Sequence, residues 1–142
     1  MLDSEAIRVD IVVPYKKRYL SLVGNIAEAV VRALDNYGGD RDTLAFHLNL
    51  VLTEAMVNAI EHANPLARDH AARVSISIEG DNLCVGVYDH GPGFDLDLVP
   101  TPDLEEPSER GRGLFLMRTL MDAVSYRKTE AGNVLEMHKR LG

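Results

Sequence analysis

Between Asp40 and Pro65 the apolar residues Leu44, Leu48, Val51, Leu52, Ala55 and Ala59 recur at helical spacing, and an apolar stripe of that width has to be buried against another layer. Asp40 or Asp42 suits the N-cap and Asn64-Pro65 the stop, because an aspartate carboxylate accepts the first free N–H groups of a helix while proline has no N–H to give. The same turns carry a polar stripe. Glu54 and Asn58 are related as i and i+4, as are Asn58 and His62, and Glu61 falls close to the same line. A fold built around this helix needs a partner layer on one side and leaves a row of polar groups beside it.

The rest of the chain supplies that layer. Ile7, Val9, Ile11 and Val13 alternate with Arg8, Asp10 and Val12 before Pro14, the period of a half-buried strand. Leu20, Val23, Ile26, Ala27, Val30, Val31 and Leu34 predict a helix from about Tyr19 to Asn36, with Gly38-Gly39 as its stop. Val74, Ile76 and Ile78, then Leu83, Val85 and Val87, are two alternating runs around Gly80-Asp81-Asn82 and read as a hairpin. From Phe94 to Glu109 there are three prolines and many acids with little periodicity, which reads as a long loop. Leu114, Phe115, Met117, Leu120 and Met121 fit a short helix, and two last strands flank Thr129-Glu130-Ala131-Gly132. These elements describe a single α+β domain over residues 1–142, a two-layer α/β sandwich with helices on one face of a mixed, mainly antiparallel sheet.

Composition bounds the partners. The formal charge is −7 over 142 residues, which argues against nucleic acid and anionic membranes and favours a protein partner with a basic patch. The N-terminus carries acid where a signal peptide needs base, and no uninterrupted apolar run approaches the ~20 residues that span a bilayer. The expectation is a cytoplasmic protein. Cys84 excludes an internal disulfide and reads as a small core residue of a strand, while His47, His70 and His138 have no spacing suited to a metal cluster.

The polar groups of the long helix permit two readings. In one, they are a solvated helix face, the usual fate of a single Glu or His. In the other, the Asn58 oxygen is a magnesium ligand beside small Ala55 and Ala59, and Glu54 accepts the proton of a nucleophile that attacks a terminal phosphate. Asp89-His90-Gly91-Pro92-Gly93 is either an ordinary turn or a buried carboxylate that accepts the exocyclic amine of adenine, with glycines that let a base lie on bare backbone. Gly111-Arg112-Gly113 at a helix start suits phosphate. Arg110 and Arg112 either contact the terminal phosphates or pair with Glu105, Glu106 or Glu109. No Gly-x-x-x-x-Gly-Lys loop is present.

In this order, Glu54-x-x-x-Asn58 with Ala59 and His62, Asp89-x-Gly91-x-Gly93 and Gly111-x-Gly113-Leu114 resemble the ATPase superfamily of gyrase, Hsp90, histidine kinases and MutL. The runs from Glu54 to His62 and from Gly113 to Asp122 look most like the anti-sigma-factor serine kinases. The resemblance implies a Bergerat-type sandwich with a left-handed βαβ unit, binding Mg2+ and ATP under a lid over 94–110. It also implies a homodimer that sequesters a sigma factor and phosphorylates an anti-sigma-factor antagonist. By motif position Glu54 is then the base and Asn58 the magnesium ligand. Asp89 reads adenine, and Gly91, Gly93, Gly111 and Gly113 make backbone contacts, with His62, Arg110 and Arg112 among the nucleotide-binding residues. One departure is Gly132-Asn133, where many relatives have Gly-Thr, which implies an altered contact near adenine. The length leaves no room for a phosphoacceptor helix pair or a transducer domain. The alternative function is a nucleotide-gated protein-binding module without kinase activity.

Overall fold

The computed structural model describes residues 6–35, 37–61, 71–89, 112–130 and 132–142. Its elements run β1 (Ala6–Pro14), a short 3-10 turn (Lys17–Tyr19), α1 (Leu20–Arg32), α2 (Arg41–Glu61), β2 (Ala71–Glu79), β3 (Asn82–Asp89), α3 (Arg112–Leu120), β4 (Ala123–Thr129) and β5 (Gly132–Arg140). The strands form one five-stranded sheet in the order β1-β2-β3-β5-β4. Every neighbouring pair is antiparallel, so the expected mixed sheet is antiparallel at each ladder. Same-direction strands still occur: β3 and β4 run parallel on either side of β5, and α3 lies between them in the chain. β3, α3 and β4 thus form a βαβ unit.

Alternation builds the core. Ile11 and Val13 of β1, Val74, Ile76 and Ile78 of β2, Leu83, Val85 and Val87 of β3, and Leu135 and Met137 of β5 are all buried. Against that face lie Val23, Ala27, Val30 and Val31 of α1, Leu44, Leu48, Val51, Leu52, Ala55, Met56 and Ala59 of α2, and Leu114 and Met117 of α3. All six residues of the apolar stripe read from the sequence are among them. α2 is long and apolar enough to cross a membrane by length and composition, although polar residues interrupt it and it holds no continuous apolar run of that length. Its apolar stripe is part of the core just described.

Turn chemistry matches the sequence in part. Asp40 is the N-cap of α2, its Oδ1 accepting the N–H groups of Asp42 at 3.0 Å and Thr43 at 3.3 Å. Asp42, the other candidate, pairs with Arg32 at 2.7 Å. Helix α1 ends at Arg32, short of the predicted Asn36, so Gly38-Gly39 is not its stop. Ala33 closes it with N–H bonds to Ala29 and Val30, and Leu34 folds back onto the core beyond the last turn. In the β2–β3 hairpin, Glu79 pairs with Asn82, leaving a two-residue turn of Gly80 and Asp81. Gly80 has φ +59° and Asp81 does not have positive φ, the type II′ pattern that matches strand twist.

Candidate functional site

Glu54 and Asn58 are half-buried on α2, one turn apart and next to the buried Ala55 and Ala59. The polar stripe thus runs directly beside the buried edge of the helix. The opening turn of α3 comes directly against this stripe. A Cβ placed on Gly113 would lie 2.8 Å from Glu54 Oε2 and 3.3 Å from Glu54 Cβ. Only a residue without a side chain lets the backbone come this close to the carboxylate. The first and third sequence motifs, separated by about a third of the chain, therefore meet in space. Leu114, Met117 and Met121 anchor α3 in the core. The ammonium of Lys139 donates to the Leu120 carbonyl at 3.1 Å and so caps the helix end.

Asp89 ends β3. It follows Leu83, Val85 and Val87 in parity, so its side chain faces the helical layer, where α2 lies over β3. It is only 8% exposed. Asn133, directly opposite it on β5 and 5% exposed, donates from Nδ2 to Asp89 Oδ1 at 2.9 Å. The departure Gly132-Asn133 therefore supplies a carboxamide donor to the very carboxylate the resemblance marks as the adenine reader. The signal for this pairing was visible in the chain: both residues sit at the ends of paired strands, but the register between those strands is a property of the folded sheet.

Of the remaining sequence candidates, Arg112 is the first residue of α3. His62, Gly91, Gly93, Arg110 and Gly111, together with the lid expected over 94–110, lie outside the described residues. Glu61 is exposed and pairs with Lys17 at 3.8 Å, on the solvated side of the helix rather than with Glu54.

The family resemblance assigns the Asn58 oxygen to magnesium and the Glu54 carboxylate to proton transfer. The Asn58 carboxamide oxygen is a hard donor of the kind magnesium takes, one helical turn from the Glu54 carboxylate. The backbone of Gly113 closes directly on the Glu54 side chain.

Comparison with known proteins decides the family. Residues 14–139 match the model of the histidine kinase-like ATPase domain. The chain belongs to this family. Within it, the chain groups with the serine-protein kinases RsbW. It is 31% identical over 138 residues to that of Listeria monocytogenes, covering 90% of this chain and 84% of the relative. It is 28% identical over 141 residues to that of Bacillus velezensis, covering 94% and 85%. The alignment with the Bacillus subtilis protein, at 32% identity over 102 residues, spans 63% of that relative. A structure of the RsbU and RsbW domains of a Mycobacterium tuberculosis protein superposes with a TM-score of 0.68 at 15% identity, covering 95% of this chain and 32% of that one. The histidine kinase domain of a blue-light-activated kinase from Erythrobacter litoralis gives 0.52 at 20%, covering 90% and 61%. At these identities the two structures speak to the fold, which is the ATP-binding sandwich expected of the family.

Two residues away from this site differ from their sequence reading. Cys84 is not a core residue. It has the opposite parity to Leu83 and Val85 and lies half-buried on the face of the sheet turned away from the described helices. Burial and the neighbouring Glu136 carboxylate push its thiol up to about 11. His138, which lacked metal-cluster spacing in sequence, stands directly opposite Cys84 in the β3–β5 register.

Proposed function

We propose that this chain is an ATP-dependent protein serine/threonine kinase of the anti-sigma type. It holds a sigma factor and phosphorylates an anti-sigma-factor antagonist on serine or threonine, as a cytoplasmic homodimer. The observation that carries the catalytic part is the close approach of Gly113 to the Glu54 carboxylate, one turn from Asn58. It puts an acid at the junction of α2 and α3, the two elements that carry the motifs for base and phosphate.

Bound Mg-ATP supplies the transferable phosphoryl group and, through its metal, neutralises charge on it. The chain's own residues then divide the work. Asn58 Oδ1 is the protein's ligand to magnesium. Glu54 accepts the proton of the incoming serine or threonine hydroxyl as its oxygen bonds to phosphorus and the bond to the ADP oxygen breaks. Asp89 accepts the N6 amine of adenine, and Asn133 fixes which way its carboxylate points. Guanine offers an acceptor at that position, so the arrangement favours adenine.

The experiment is phosphoryl transfer from Mg-ATP to the cognate antagonist, with Glu54→Gln alongside the wild type. Replacement is expected to leave nucleotide affinity nearly intact and to slow transfer by about 10²–10⁴-fold. Equal rates would remove Glu54 from the mechanism. Nucleotide binding without any phosphoserine or phosphothreonine on the cognate antagonist would replace the kinase with a nucleotide-gated binding module. Calorimetry with Mg-ATP, Mg-GTP and EDTA tests the base preference and the metal together.

A further inference from the structure

The face of the sheet away from the described helices brings together three side chains that the proposed kinase chemistry does not use. Cys84 on β3 and His138 on β5 are direct cross-strand partners, and Glu136 lies two residues before His138 on the same face. Their ligand atoms all lie within 4.8 Å of one another. Cys84 Sγ is 3.5 Å from Glu136 Oε1 and 3.9 Å from His138 Nε2, and His138 Nε2 is 3.3 Å from Glu136 Oε1.

These distances have a specific geometry. Zinc bonds of about 2.3 Å to sulfur, about 2.0–2.1 Å to nitrogen and about 2.0–2.2 Å to oxygen, set at tetrahedral angles, separate the ligand atoms by about 3.6 Å (S to O), about 3.6 Å (S to N) and about 3.4 Å (N to O). The three atoms already stand near three corners of such a tetrahedron, the largest departure being the sulfur–nitrogen edge. The carboxylate is also oriented from behind. Arg127 Nη2, on the adjacent strand β4, holds Glu136 Oε2 at 3.2 Å and turns Oε1 toward the cysteine and histidine, the kind of outer partner that fixes a metal ligand in place. His138 is exposed and the other two are half-buried, so an ion reaches them from solvent.

We propose that Cys84, His138 and Glu136 form a zinc-type transition-metal site, with a fourth position open to water. A thiolate, an imidazole and a carboxylate suit zinc and its analogue cobalt(II) rather than magnesium, which takes oxygen ligands only. The site is therefore distinct from the nucleotide's metal and does not rest on the kinase reading. On binding, the S–H bond of Cys84 breaks, the zinc–sulfur bond forms, and the proton passes to the buffer. The ion would join β3 to β5, the two strands whose opposite face carries Asp89 and Asn133.

The test is a titration of the reduced full chain, free of any affinity tag, with cobalt(II) and then zinc. One cobalt per chain should give a near-ultraviolet thiolate-to-cobalt band with the visible bands of a four-coordinate ion, and zinc should abolish both. Cys84→Ser should lose the thiolate band. His138→Gln and Glu136→Gln should each weaken zinc by more than the roughly 10–100-fold that outer-shell partners contribute. Zinc should raise the Tm of the wild type and leave that of Cys84→Ser unchanged. No thiolate band in the wild type, one metal shared by two chains, or wild-type zinc affinity in His138→Gln would each overturn the site. All three substitutions lie on the sheet surface, and circular dichroism checks that each variant is folded.

Discussion

At the residue scale, two positions separate fold from function. Gly113 is in a helix, where alanine is favoured by about 1 kcal/mol, yet its missing side chain is what leaves room for the Glu54 carboxylate. Gly113→Ala is expected to leave the Tm little changed, helix propensity offsetting the contact with Glu54, and to lower the transfer rate by about 100-fold, since an ångström of misplacement at a reacting group costs that much. Thermal melts and single-turnover transfer measured on the same preparation check it. Asn133→Ala removes the carboxamide that donates to the buried Asp89. The expected loss is about 1–3 kcal/mol in a urea titration, with ATP affinity weakened about tenfold by calorimetry. Part of this scale was legible in the sequence: Glu54 and Asn58 follow from helical spacing alone. Cys84 was misread as core although its parity with Gly86 and Tyr88, against Leu83 and Val85, already placed it on the outer face. Its meeting with Glu136 and His138 was not legible, because that depends on how β3 and β5 slide past one another.

At the element scale, α2 sets the geometry of the site and its stability is the simplest to perturb. Met56 is fully buried on it, and Met56→Ala should cost about 2–5 kcal/mol in chemical denaturation. Asp40 gives a dependence on pH. Its carboxyl sits below its ordinary 3.8 because it accepts the Thr43 N–H and, more weakly, that of Asp42. A depressed folded-state value means the cap's contribution is complete above the unfolded value and is lost as pH falls through the folded one. Unfolding free energies measured from pH 6 downward should therefore fall off less steeply below about pH 4 in Asp40→Asn than in the wild type. The extent of α2 was legible because its stripe and cap are strong local signals. The end of α1 was not: Leu34 keeps the helical period, but it packs on the core from a turn, and tertiary burial outweighed local pattern.

At the scale of the whole molecule, the sandwich was legible from the order of strand-like and helix-like runs, while the all-antiparallel ladders depend on which edges meet and could not be read from period alone. The acidic balance of the chain belongs to this scale too. If the partner presents a basic surface, its association rate should fall about tenfold or more between about 0.05 and 0.5 M salt in stopped-flow mixing, with a smaller change in dissociation. A rate indifferent to salt would exclude electrostatic steering. The sheet also has a history written into its register. Pro14 lies beside Ala71 and Ala6 beside Glu79, so the strand synthesised first finds its neighbour only after both long helices and β2 have been made. At roughly 5–20 residues per second, translation alone imposes a wait of seconds. Joining the two strands closes the largest loop among the strand pairings, and such non-local pairing is slow. On the ribosome the α1–α2 pair should therefore be the first part to consolidate, and β1 the last strand of the N-terminal half to dock.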